Sequence, residues 1–180
     1  MRILAIDPGT EKSGWILHDL VTEQFVGGIT NNEDLLEEIA EFNATDLAIE
    51  MVANYGMAVG RTTFETCVWI GRFIQWWSTS LKAEEDSVFM VPEKVDYERV
   101  FVYRREVKLH LCNSVRAKDT NVRQAILDLY PATGGGKTPQ IGTKAAQGPL
   151  YGVKSHMWAA LGVALTFAAR RQSDRPAGAN

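Results

Sequence analysis

The chain has 180 residues, of which 46% are hydrophobic and 23% charged, ordinary values for one globular domain with a substantial core. Its N-terminus lacks a charged-then-apolar cleavable pattern and no apolar run reaches the roughly 18 residues that span a bilayer, so neither a signal peptide nor a membrane anchor is expected and a cytoplasmic location follows. The net charge of −3 conceals an asymmetry: residues 1–100 hold 7 Lys and Arg against 18 Asp and Glu, whereas residues 101–180 hold 12 against 4, a division compatible with a polyanion bound on one face.

Ile3, Leu4, Ala5 and Ile6 form the short apolar run of a buried central strand; Asp7 ends it and Pro8-Gly9 turns the chain. Ser13 to Leu17 reads as a returning antiparallel strand, and a third strand spans 24–29. Asn31-Asn32-Glu33-Asp34 is a helix-start signal, and Leu35, Leu36, Ile39 and Phe42 at helical spacing predict a helix over 33–42. Asp46 to Met51 is another short apolar strand, with Glu50 at its end as Asp7 is at the end of the first.

A long helix is predicted over 60–81, with Phe64, Cys67, Val68, Gly71 and Ile74 as its apolar stripe. Ser87 to Val91 reads as a strand ended by Pro92, followed by helices at 103–113, 119–130 and 154–171. A Gly-, Lys- and Pro-rich loop, Pro131 to Gly152, separates the last two, and the tail from Ser173 to Asn180 is expected to be disordered, leaving one domain over 1–172. Cys67 and Cys112 lie in helix-like apolar contexts and read as small core residues. These elements specify an α/β fold, a mixed five-stranded sheet with helices on both faces.

Asp7 is either a turn-capping carboxylate or one facing a cleft. Glu50 tips the balance, because strands 2–7 and 46–51 would be adjacent and parallel and would bring both acids to one edge of the sheet. Two hard oxygen ligands at an open site suit Mg²⁺ or Mn²⁺, which retain waters and accept phosphate oxygens. A pair of such ions about 4 Å apart can clamp the attacking and leaving oxygens of phosphodiester hydrolysis.

The segments "ILAIDPGTEKSGW", "LAIEMV", "VGRTTFETCVWIGRF", "REVKLHLCNSVRAKDTNVRQAI" and "VKSHMWAALGVAL" resemble, in order, the blocks of RuvC-type Holliday junction resolvases (crossover junction endodeoxyribonucleases). Tyr103-Arg104-Arg105 and the long loop look more like phage-encoded members. The resemblance implies a ribonuclease H-like fold, a homodimer built on the helix containing Gly71, and Mg²⁺- or Mn²⁺-dependent paired nicking of four-way junctions. It makes Asp7 and Glu50 the first two catalytic carboxylates and metal ligands. His156 falls on the first of the last two site positions, as a metal ligand or an orienter of the attacking water, but Ala159 stands where a carboxylate is expected. No acid lies between Asp128 and Asp174, and Asp119 and Glu65 are reserve third carboxylates.

Residues 104–123 concentrate Arg104, Arg105, Lys108, Arg116, Lys118 and Arg123 against two acids, a density that can line a phosphate backbone. Lys108 and Lys118 match family lysines, and Lys118 is expected to reach the reacting phosphate. Lys137, Lys144 and Lys154 add positive charge, and the glycines between them would let the loop follow a branched backbone. The family's junction-wedging aromatic is matched by Ala53, which leaves Tyr55 as the substitute stacking group. Trp69, Trp76 and Trp77 read as core or dimer contacts. "TGGGKT" is not a phosphate-binding P-loop, since Pro131 holds the place of its first glycine and no strand precedes it.

The leading expectation is therefore a structure-selective endonuclease acting on branched DNA as a homodimer. The alternatives are a broader debranching nuclease, a junction-binding dimer that has lost catalysis with the carboxylate at 159, and a kinase or ATPase whose first phosphate loop is "DPGT".

Overall fold

Alternation along the first strand sets the layers of the molecule. In the computed structural model, which describes residues 1–54, 56, 58–80 and 96–173, Ile3 and Ala5 join one apolar cluster and Leu4 and Ile6 another, all four fully buried. A strand buried on both faces needs cover on both, and the rest of the chain supplies it.

Strand β1 (Arg2–Asp7) pairs antiparallel with β2 (Lys12–Asp19), from Arg2 opposite Asp19 to Asp7 opposite Gly14. β3 (Gln24–Asn31) adds antiparallel to β2 and runs straight into α1 (Asn32–Ile39). β4 (Asp46–Met51) returns parallel to β1 in the register Ile3–Asp46 to Ile6–Ile49. After α2 (Arg61–Ser80) and the single turn α3 (Tyr97–Val100), β5 (Phe101–Tyr103) pairs parallel with β4, giving the order β3-β2-β1-β4-β5. The remaining helices are α4 (Arg104–Cys112), α5 (Asp119–Leu129) and α6 (Met157–Ser173).

One face is covered by α1 and α2, whose Leu35, Ile39, Ile70, Phe73 and Trp77 cluster with Leu4, Ile6, Leu47 and Ile49. The other is covered by α4, α5 and α6 through Val107, Val122, Ile126, Leu161 and Phe167 against Ile3, Ala5 and Ala48. Each such Leu, Ile or Phe contributes about 1.5–3 kcal/mol by leaving water. Helix α6 lies close because its packing residues are small: a Cβ on Gly162 would meet Val107 at 3.0 Å.

Four expectations are revised. The fifth strand of the sheet is Phe101–Tyr103, and the predicted strand over 87–91 lies outside the described residues. Three residues abutting a helix give no alternation to read, so the sequence pattern merges this strand with the helix start. The helix after β3 stops at Ile39, with Ala40–Phe42 as one 3₁₀ turn and Asn43 left-handed at φ 47°. The buried stripe of α2 is Ile70, Phe73, Ile74 and Trp77, whereas Phe64 and Val68 are each 62% exposed. The loop over 131–152 is self-bonded rather than pliant. Gly134 N–H donates to Pro139 C=O, Gly135 N–H to Ala146 C=O and Gly148 N–H to Ile141 C=O. A Cβ at Gly148 would stand 2.2 Å from Pro139 O, so this glycine serves close backbone packing.

Cys67 and Cys112 are free and half-buried. No helix among the described residues is long and apolar enough to cross a membrane. The predicted tail beyond Ser173 and Tyr55 both lie outside the described residues.

Candidate active site

The turn after β1 is tied down by a buried polar relay. Gly9 N–H donates to Ser13 Oγ (3.3 Å), the Ser13 hydroxyl donates to Asn32 Oδ1 (2.7 Å), and Asn32 Nδ2 donates to Gly9 C=O (3.0 Å). Ser13 and Asn32 are fully buried, and each polar atom in the relay is satisfied. Asp7 is thereby held at the strand end, its side chain 17% exposed.

His156 reaches Asp7 from the far end of the chain. It caps α6, its C=O accepting from Ala160 N–H, after Ser155 in the left-handed region at φ 42°. Gly14, opposite Asp7 in the β1–β2 ladder, makes the approach possible: a Cβ there would lie 2.6 Å from the His156 carbonyl carbon. His156 Nδ1 then sits 2.9 Å from Asp7 Oδ2. Against an ionised Asp7 this nitrogen is the donor, leaving Nε2 as acceptor when the ring is neutral. Burial raises the pKa of Asp7, and the hydrogen bond and charge of His156 oppose that rise.

Glu50 lies on β4 one position past the Ile6–Ile49 pair, beside Asp7. Burial, reinforced by the Asp7 charge, pushes its pKa up to about 7. Its Oε2 is buried without a hydrogen-bond partner among the described residues, and the nearest cation, Arg104 Nη1, is 3.7 Å away and likewise unpartnered. The other nitrogen, Arg104 Nη2, donates to Asp119 Oδ1 at 2.8 Å, and Lys108 Nζ stands 3.7 Å from the same oxygen. The Arg104 hydrogen bond lowers the pKa of Asp119.

Asp7, Glu50, Arg104, Asp119 and His156, with Thr120, Arg123, Trp158 and Ala159, line an open cleft of ≈ 460 Å³. A larger hollow of ≈ 810 Å³ lies at the opposite end of β1 and β2, around His18 and Tyr130, away from the carboxylates.

The donors in the cleft are of the right type for a hard divalent cation. Asp7 supplies a carboxylate, and His156, whose Nδ1 is engaged by Asp7, keeps Nε2 as the ring nitrogen able to accept a metal. Glu50, beside Asp7 on β4, adds a second carboxylate to the cleft. Among the described residues, however, no three of His, Cys, Asp and Glu come together as a ready metal group, and Ala159 adds no donor to the cleft. The donor types suit one hard cation, but the groups are not closed around it.

Of the predicted site residues, Asp7, Glu50, His156 and Arg104 are brought together, and the reserve carboxylate Asp119 joins them. Glu65 does not, being paired with Arg61 at 2.6 Å on α2. Lys118 is exposed at the N-cap of α5, beside Asp119 but not lining the cleft. Arg105, Arg116, Lys137, Lys144 and Lys154 are exposed. Arg104 and Lys108 are engaged inward by carboxylates rather than standing free. Sequence reasoning missed Gly14, Ser13 and Asn32 as positioning residues; a small residue facing Asp7 across the first hairpin was the available signal.

No family model and no curated protein sequence matches the chain. Solved structures do. The Thermus thermophilus RuvC in complex with Holliday junction substrate aligns with TM-score 0.61 and 16% identity over 96% of this chain and 97% of that one. A structure of Thermus thermophilus RuvC aligns with TM-score 0.54 and 17% identity over the same shares. The chain has the mixed-sheet, ribonuclease H-like fold of RuvC.

Proposed function

We propose that the chain is a metal-dependent, structure-selective endonuclease that resolves four-way DNA junctions by paired nicks, acting as a homodimer. The observation that carries this reading is the juxtaposition of Asp7, Glu50 and His156 in one open cleft on a RuvC-like fold. A Mg²⁺ or Mn²⁺ ion held by these three would supply positive charge at the scissile phosphodiester. The chain's own residues bind and orient the strand. Arg104 presents a cation within the cleft, Lys108 and Lys118 stand beside Asp119, and Arg105, Arg116, Lys137, Lys144 and Lys154 attract the backbone of the arms. In the reaction a water oxygen bonds to phosphorus as one P–O ester bond breaks. The exposed Phe64 and Val68 on α2 offer an apolar face for a second copy, and two-fold related clefts are what symmetric nicking requires.

A second reading, a junction-binding dimer without catalysis, is favoured by Ala159 and by the unclosed donor set. Cleavage of a labelled synthetic four-way junction in Mg²⁺ and in Mn²⁺, with linear duplex as competitor, separates the two. Paired nicks confined to the junction support the nuclease; tight binding with intact strands in both metals supports the binding module. Equal cutting of forks and flaps would replace the resolvase with a general debranching nuclease.

A further inference from the structure

The cleft contains a cation of its own. Arg104 is the first residue of α4, directly after β5, and β5 is hydrogen-bonded to the strand that carries Glu50. That placement is secured at Tyr103, whose N–H donates to Glu106 Oε2 at 2.6 Å and fixes the start of the helix. The guanidinium spans two carboxylates, 3.7 Å from Glu50 Oε2 and 2.8 Å from Asp119 Oδ1. Its Nη1 is buried against Glu50 and makes no hydrogen bond among the described residues.

Phosphoryl chemistry with two ions places positive charge at two points along the reacting axis. Here the carboxylates divide into two groups. Asp7 and His156 stand together, while Glu50 Oε2 and Asp119 Oδ1 are turned toward Arg104, which leaves only the other Glu50 oxygen for an ion beside Asp7 and His156. A second divalent ion would have to take Glu50 and Asp119 from the guanidinium, with no help from residue 159. We infer that Arg104 takes the place of a second metal ion, so that the site works with one divalent cation and a guanidinium that supplies the other positive charge. This rests on the metal-dependent reading of the cleft.

The test counts ions without using cleavage. Mn²⁺ binding to the full chain is followed by electron paramagnetic resonance of free Mn²⁺ and by calorimetry, at millimolar metal and without DNA. The wild type is expected to bind one Mn²⁺ per chain. Arg104→Gln, which frees Glu50 and Asp119, is expected to bind two. Arg104→Lys, which keeps one positive charge, is expected to stay at one. Two ions per wild-type chain would overturn the inference and leave the nuclease reading standing, as would a count of one that Arg104→Gln does not change. No Mn²⁺ bound at all would overturn both. The wild-type count decides against the inference even if the variants do not fold.

Discussion

His156 Nδ1 meets Asp7 Oδ2 at 2.9 Å across 149 residues of chain, over a glycine that has no room for a side chain. This contact joins the first strand to the last helix and creates half of the site. Its dependence on Gly14 is directly testable. Gly14→Ala should push the Ser155–His156 turn off the hairpin, cost about 1–3 kcal/mol of stability as overpacking does, and reduce junction cleavage about as much as His156→Ala. Thermal unfolding and cleavage rates on both variants check this; a Gly14→Ala protein with full activity would show that the close approach is dispensable.

Asp7→Asn and Glu50→Gln keep size and remove charge. If either carboxylate supports several kcal/mol of transition-state stabilisation, its loss should slow cleavage by about 10³. Junction binding should survive, because the rim cations remain and a repulsive charge near phosphate has gone. Gel-shift affinity measured beside the cleavage rate separates the two effects. Loss of binding in parallel with cleavage would place these acids in the fold instead.

The burial of Glu50 has a signed consequence for stability. Its pKa is raised from 4.5 to about 7 in the folded protein, so the folded state favours the protonated acid. The associated stability is full below about pH 4.5 and is lost as pH rises through about 7. In metal-free buffer, Glu50→Gln should therefore match the wild type near pH 4.5 and exceed it near pH 8, by on the order of 2 kcal/mol. Urea melts at both pH values provide the comparison, and a constant difference between the two proteins would refute the assignment.

The exposed lysines should act through the phosphate backbone alone. Changing Lys137, Lys144 and Lys154 together to Ala should lower the slope of log affinity against log salt by about 0.9 for each phosphate that is no longer neutralised. The single-turnover cleavage rate at saturating enzyme should hardly move. A salt slope identical to the wild type would mean that the loop does not touch DNA.

Phe73 is fully buried between α2 and the sheet. Phe73→Ala should cost about 3–5 kcal/mol, which denaturant titration would register, whereas Phe64→Ala on the exposed side of the same helix should leave the isolated subunit's stability nearly unchanged. If Phe64 belongs to a dimer face, its loss should instead appear as a concentration-dependent shift to monomer in sedimentation.

Local signals carried much of the fold. Apolar runs ended by Asp7 and by Glu50, the Pro8-Gly9 turn and the helical spacing of Leu35, Leu36 and Ile39 are all properties of neighbouring residues. Strand order, and with it the pairing of Asp7 with Glu50, could be reasoned from them because short connections leave few topologies. What the tertiary structure alone decided are contacts between segments far apart in the chain. The strand Phe101–Tyr103 exists because β4 offers a free edge, not because three residues prefer to be extended. Arg104 faces Glu50 and Asp119 rather than solvent because β5 delivers it there. Phe64 and Val68 share the helical period of the buried face yet lie outside it, since periodicity marks a stripe but not where its neighbour ends. The pairing of His156 with Asp7 turns on the absence of one Cβ at Gly14, a steric fact that becomes visible only when the last helix is laid against the first hairpin.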